Sequence, residues 1–300
     1  MTIESIYAVA IYQYNLWKTI QIDRKITTAI ESEKYQKERL DGFRLSLEPY
    51  IYHYLMETYG PKLSAFWQTY NPPKTAPRAF VIVERRQHPN FWFILRNMAW
   101  ANPDFAVYIF CSDENINFIK ALLGEKADSF NLIIAFKGTA SRDRGKKEVD
   151  NLLSNSRFYT YINSEYILTL EMDTFIRKKI PETLFQGIYW GNTWGWVPHT
   201  PGGGGVTVRN TKLCAEHCKK HRPNTNIDLH TAQDAWLSDT VYADKADFPD
   251  VKFRVTHIME NIPTEDPVAV HQFWTYLDAF QVTNKDLFIN HLTNVLKIDI

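Results

Sequence analysis

The sequence predicts an α/β protein, an open and mainly parallel sheet flanked by helices, with a helical segment in front of it. Three observations carry that expectation. Clustered prolines, Pro72, Pro73 and Pro77, separate a region of helical periodicity from one where short apolar runs alternate with amphipathic stretches. Those runs are nearly continuous, as in strands covered on both faces. One of them, Tyr166-Ile167-Leu168-Thr169-Leu170, leads straight into two carboxylates one residue apart, Glu171 and Asp173.

Taken in chain order, Ile3, Ile6, Tyr7, Ala10, Ile11 and Tyr14 recur at steps of three and four, and Ile51, Tyr54, Leu55 and Tyr59 do so again. Glu31 to Arg39, between them, reads as a solvated charged stretch. Residues 1–75 are therefore expected to be a helical N-terminal extension that serves packing or oligomerisation, such as a homodimer, more than chemistry. Residues 76–300 form the second unit. There Ala79 to Glu84, Phe105 to Cys111 and Asn131 to Phe136 read as strands, with helices over Phe91 to Met98 and Asn115 to Leu123. Strand and helix alternating at this spacing imply right-handed crossovers and parallel pairing. Lys137 to Lys147 is a basic linker that either faces phosphates or is a surface loop, and a helix near Glu148 to Tyr161 leads into the strand that opens at Tyr166.

Basic and acidic residues balance at 34 each, so net charge offers no argument for nucleic acid or an anionic membrane. Cys111, Cys214 and Cys218 make no disulfide framework, which fits a reducing, cytoplasmic setting. The start Met1-Thr2-Ile3-Glu4 lacks a secretory pattern, and no apolar run is long enough for a membrane span.

Alternating side chains of an extended strand would put Glu171 and Asp173 on one face at the strand's carboxyl end, where open α/β sheets hold ligands. Paired oxygens there suit Mg2+ or Mn2+ on a diphosphate. The plain alternative is two solvated surface acids. Downstream, Gly202-Gly203-Gly204-Gly205 enters a strand and lets a ligand approach the backbone, or is simply a flexible hairpin. It has neither the Lys-Ser/Thr of a P-loop nor GxGxxG spacing. Trp190, Trp194 and Trp196 form a sugar platform or belong to the core. Cys214, His217, Cys218 and His221 share a helical face, but the first and last lie ~10 Å apart along it, so one helix cannot converge all four on zinc. Asp234 is either a first-turn helix acid or a general base. His271 is either structural or a metal ligand.

Several segments together resemble a family of nucleotide-sugar glycosyltransferases with a GT-A-type, Rossmann-like fold, a kind also found among the sugar-decorating proteins of large DNA viruses. The likeness runs in order over roughly residues 79 to 280. It takes in Val83-Glu84-Arg85-Arg86-Gln87-His88-Pro89, Leu95-Arg96-Asn97, Asn151-Leu152-Leu153-Ser154, Phe158, the acidic strand end at Asp173, Gly204-Gly205-Val206-Thr207-Val208-Arg209, Gln233-Asp234, and His271 with Trp274. It implies that Asp173 and Glu171 stand where a divergent Asp-x-Asp holds Mn2+ or Mg2+ on the donor diphosphate, with His271 as third ligand. Asp234 is then the base of an inverting enzyme, and Gln233 replaces the usual first acid of its pair. Val83, Glu84 and Arg85 would receive base and ribose, and Gly204, Gly205 and Arg209 would line the floor. The implied partners are a UDP-sugar donor and a glycan acceptor. A glycoside hydrolase with paired carboxylates and a non-catalytic carbohydrate-binding protein remain the rival readings.

Overall fold

The prolines at 72, 73 and 77 do end the helical region, and the chain then enters the sheet. The computed structural model describes residues 1–26, 28–224, 228–229 and 231–300. Before the prolines lie α1 (Ile3–Arg24) and α2 (Ala29–Thr69). The charged stretch at Glu31 to Arg39 is part of α2, which a Thr28/Glu31 capping box starts and which runs through Pro49 and Pro61. An interior proline costs a helix about 3 kcal/mol. Burial of Leu47, Ile51, Leu55, Leu63 and Trp67 along one face offsets that cost. At Gly42 the Trp17 ring comes so close that a Cβ would lie 2.7 Å from it, so glycine permits the contact between α1 and α2.

After the prolines come β1 (Arg78–Val83), α3 (Phe91–Ala101), β2 (Ala106–Ser112), α4 (Ile116–Leu123) and β3 (Asn131–Phe136). Next are α5 (Arg142–Leu153), α6 (Ser156–Thr160), β4 (Tyr166–Leu170) and β5 (Thr174–Ile176). Half of the basic linker is thus the first turn and a half of α5, begun by the Ser141 side chain, and the single helix expected before Tyr166 is two. The chain continues through β6 (Tyr189–Asn192), β7 (Gly203–Asn210), α7 (Thr211–His221), α8 (Gln233–Ala243) and α9 (Val251–His257). It ends with β8 (Ile258–Met259), β9 (Ala269–His271) and α10 (Lys285–Val295). Among the described residues no helix is long and apolar enough to cross a membrane.

The architecture is α/β with a mostly parallel central sheet between helices and a helical N-terminus. Strand order is β3-β2-β1-β4-β7-β6, with β1 to β4 mutually parallel and β7 antiparallel to both of its neighbours. The period-two alternation feeds two cores. Phe80, Ile82, Val107, Ile109, Leu168 and Leu170 face α2 and α3, and Ala79, Val81, Tyr108, Phe110 and Ile167 face α6, α7 and α8. A small sheet, β5-β9-β8, continues from the end of β4.

Asparagines explain how that small sheet is seated. Asn97 on α3 donates to Ile176 O (2.8 Å) and accepts from Ile176 N–H (2.6 Å), while Asn90 donates to Met172 O at 2.8 Å. These buried amides satisfy the outer edge of β5, which would otherwise leave orphan backbone groups. From the other side Tyr52 of α2 donates its hydroxyl to Thr174 O at 2.7 Å, its ring edge-on to Phe93 and Trp274.

Tyr52→Phe keeps the packing and removes that buried hydrogen bond. Stability should fall by about 1–2 kcal/mol with an unchanged m value in urea unfolding. A variant as stable as the wild type would show that α2 does not hold β5 in this way.

Candidate functional site

At the carboxyl ends of the parallel strands lies a cavity of about 970 Å³. Its walls come from the end of β1, the turn after β4, the glycine strand β7, the first turn of α8, and α2, which contributes Arg44 and Glu48. The N-terminal helix α2 therefore reaches the site, which its sequence pattern did not indicate.

β4 ends at Leu170, so Glu171 and Asp173 leave the sheet on a turn rather than sharing a strand face. Thr174 closes this turn by donating its hydroxyl to Glu171 O at 2.7 Å. Convergence comes instead from the small sheet, where β5 pairs antiparallel with β9 and Thr174 stands opposite His271. Donor atoms of Glu171, Asp173 and His271 then lie within 4.8 Å of one another. His271 Nε2 is 3.3 Å from Asp173 Oδ1, and both are buried atoms without a hydrogen bond of sound geometry. Two such atoms facing each other are what a cation would satisfy.

Gly205 backs onto His271. Its N–H points at Nδ1 (3.2 Å), and a Cβ there would overlap the ring. Nδ1 also lies 3.1 Å from Glu260 Oε1. The carboxylate is the stronger partner, so a proton on Nδ1 directed to Glu260 leaves Nε2 facing Asp173. Glu260 is buried and held by Asn192 and by Gln272 Nε2 (3.2 Å). Gln272 itself sits in the left-handed region (φ 24°), a conformation that costs a non-glycine residue energy and sets the backbone beyond His271. Sequence reasoning missed Glu260, since no spacing or motif marks it before the fold places it behind His271.

The electrostatics follow from three carboxylates around one imidazole. Burial opposes a charged His271, but the Asp173 and Glu260 carboxylates outweigh it and push its imidazole well above the ordinary value. Burial likewise works against Asp173, yet the charge on His271 holds its carboxyl below the usual range. Burial and then Asp173 raise the carboxyl of Glu171, which opens into the hollow but has protein around it. This end of the cavity carries more negative charge than its one imidazole balances.

Asp234 stands in the first turn of α8, over the glycines of β7. Its Oδ2 accepts from Gly204 N–H at 3.0 Å, and a Cβ on Gly203 would come within 2.7 Å of Asp234 Cβ. Gly204 has φ 88°, where a side chain would be strained. Neighbouring Gln233 points away, its Oε1 accepting from the buried Arg209 guanidinium at 2.9 Å. Arg209 also donates to Thr207 Oγ1, Tyr159 Oη and Leu153 O, so it braces the floor from below.

At the β1 end, Val83, Glu84 and Arg85 line the same cavity. The Glu84 carboxylate is taken by Arg86, through the backbone N–H (2.8 Å) and Nε (2.9 Å). Arg85 pairs with Glu148 and donates to Gly138 O at 2.6 Å. Asp173, Asp234 and His271 thus share one hollow with Glu171, Gly204 and Arg209, while Gly205 lies behind its wall. Trp194 and Trp196 stack at its mouth, planes 6° apart and Trp196 64% exposed. For Trp190, platform or core by sequence, the structure gives the second: it is fully buried against Phe253.

Comparisons with known proteins add the following. Residues 138–271 match a family model described as "Protein of unknown function (DUF5672)". No curated protein matches the sequence. Among solved structures, the apo form of mouse xyloside xylosyltransferase 1 is similar at 10% identity and a TM-score of 0.44, over 65% of this chain and 97% of that one.

Glu48, on α2, is raised to about 7 by burial and the nearby Asp173 carboxylate, while its Oε1 accepts from Asn90 at 2.8 Å. A folded-state value above the ordinary 4.5 means that the native protein binds this proton more tightly. The contribution to stability is complete below 4.5 and is lost as pH rises through about 7. Glu48→Gln keeps the acceptor and removes the charge. It should match the wild type at acid pH and exceed it by up to about 3 kcal/mol at pH ~8, read as the difference between two stability profiles. Parallel profiles would contradict the shift.

Proposed function

We propose that the chain is a metal-dependent glycosyltransferase that moves a sugar from a nucleotide diphosphate, with UDP as the nucleotide, to a glycan hydroxyl with inversion. The observation that carries this reading is the convergence of Glu171, Asp173 and His271 at one end of a cavity that Asp234 and Arg209 also line. A cavity of about 970 Å³ at the strand ends has room for a nucleotide sugar, and its acidic end and basic rim (Arg44, Arg86, Arg142, Lys146) suit a cation and a diphosphate together.

The facing, unbonded Asp173 Oδ1 and His271 Nε2 fit a hard or borderline divalent cation, and Glu171 supplies a further oxygen. These residues would hold Mn2+ or Mg2+, which when bound neutralises charge on the departing diphosphate. Glu260 holds the His271 ring in register for that duty. Val83, Glu84 and Arg85 receive the base and ribose. Asp234, oriented by Gly204 N–H, accepts the proton of the acceptor hydroxyl as that oxygen bonds to the anomeric carbon and the bond from that carbon to the diphosphate breaks. Attack opposite the leaving group inverts the centre. Gln233, bound to Arg209, bears no charge, so Asp234 is the carboxylate of its pair. Trp194 and Trp196 offer the acceptor sugar a stacking face. The three cysteines are free and buried, in keeping with a cytoplasmic enzyme.

Asp234→Asn should lower transfer by about 100-fold or more while UDP affinity stays the same. Asp173→Ala should weaken UDP binding in calorimetry with manganese and change it little without. In a thermal-shift screen UDP plus manganese should stabilise the wild type by mass action. A hydrolase or a simple lectin would show no such nucleotide dependence, and that result would remove the transferase reading.

A further inference from the structure

Away from the cavity, a second group of metal-ligating side chains joins α7 to α8. His217 and His221 stand one turn apart on α7, their ring centroids 4.4 Å from each other, and both face Asp244, the C-cap of α8. Asp244 Oδ2 lies 2.7 Å from His221 Nε2 and 3.5 Å from His217 Nδ1. One donor atom from each residue falls within 4.8 Å of the other two. Cys214 and Cys218, on the same helix, are buried in the core beneath, so the ligands left to a cation are the two imidazoles and a carboxylate from the neighbouring helix. The missing convergence on one helix is supplied by the second.

The hydrogen bonds around His217 decide which nitrogen faces the carboxylate. Thr240 donates its single hydroxyl proton to Trp236 O at 2.8 Å, so its oxygen accepts from His217 Nε2, also at 2.8 Å. In the neutral ring the proton is therefore on Nε2, and a lone pair on Nδ1 points at Asp244 Oδ2. Two acceptors thus face each other across 3.5 Å, one on a buried imidazole and the other on a carboxylate open to solvent, an arrangement that a cation between them relieves. Asp244 adds to this, because a carboxylate at a helix C-terminus meets the negative end of the helix dipole. Lys220 Nζ contacts the same oxygen at 2.8 Å from the solvent side, with its side chain 65% exposed, and can swing out without disturbing the core.

We propose that His217 Nδ1, His221 Nε2 and Asp244 Oδ2 bind a zinc ion, with solvent at the open position. Two imidazoles and a carboxylate are a donor set that zinc favours, and the Thr240 hydroxyl acts as the outer partner that fixes one ligand's tautomer. The ion staples the end of α7 to the end of α8, the helix whose first turn carries Gln233 and Asp234. This site stands whether or not the chain transfers sugars.

The test strips the full chain with a chelator and titrates it with zinc chloride against a chromophoric competitor, then repeats the titration with cobalt to read its tetrahedral visible absorption. The wild type should take up at least one equivalent with that spectrum, and His271→Ala, which removes a ligand of the cavity site, should keep it. His221→Ala, a partly exposed position whose loss leaves the core intact, should bind at least about tenfold more weakly and lose the cobalt absorption. Asp244→Asn should do the same, with circular dichroism confirming that each variant folds. Unchanged uptake in His221→Ala, loss of the equivalent in His271→Ala instead, or no uptake by the wild type would each overturn the proposal.

Discussion

The pairing of β5 with β9 is the constraint on which the rest of the site depends. Thr174 opposite His271 brings the turn after β4 against a segment from near the end of the chain, so an imidazole and two carboxylates meet at one point. The backbone bonds of this short ladder are few, and the pairing is secured from outside it. Asn97 and Asn90 bind the β5 segment from α3, Tyr52 binds it from α2, and the Gln272 N–H reaches back to Asp173 O at 3.1 Å. Buried polar groups that are fully paired fix a single register, because slipping the strand would leave each of them unsatisfied.

The same arrangement concentrates charge. Asp173, Glu171 and Glu260 surround the buried His271, and their mutual repulsion is relieved by protons or a cation. Glu48 belongs to this balance although it comes from α2, since Asp173 is among the causes of its raised value. The glycines of β7 complete the geometry by absence of bulk. Gly205 makes room for the His271 ring, and Gly203 and Gly204 let the backbone approach Asp234.

Much of this was legible in the sequence for local reasons. The strands β1, β2 and β4 appear as apolar runs because both of their faces are covered, while β3 is an apolar edge strand that stays half-buried, and the acids after Leu170 stand out because they follow a buried run directly, one residue apart. Trp190 could not be told from Trp194 and Trp196 by composition. The first lies in β6 and turns into the core, while the other two sit on the loop beyond it, stacked on each other. The helix that carries the cysteines and histidines cannot by itself converge all four on one ion. α8, packed alongside, brings Asp244 to the two imidazoles.

Local residue patterns fix the periodicities. Alternation by two and by three to four residues depends on near neighbours, so it settles the class of fold, the helical N-terminus and the strand end where ligands belong. Three-dimensional packing alone brings α2, with Arg44 and Glu48, to the cavity wall, sets Glu260 behind His271, and converges the acids through a turn and a second sheet. Those contacts join residues far apart in the chain, and no local preference encodes them. They arise when burying the two faces of the sheet forces distant polar groups to find partners.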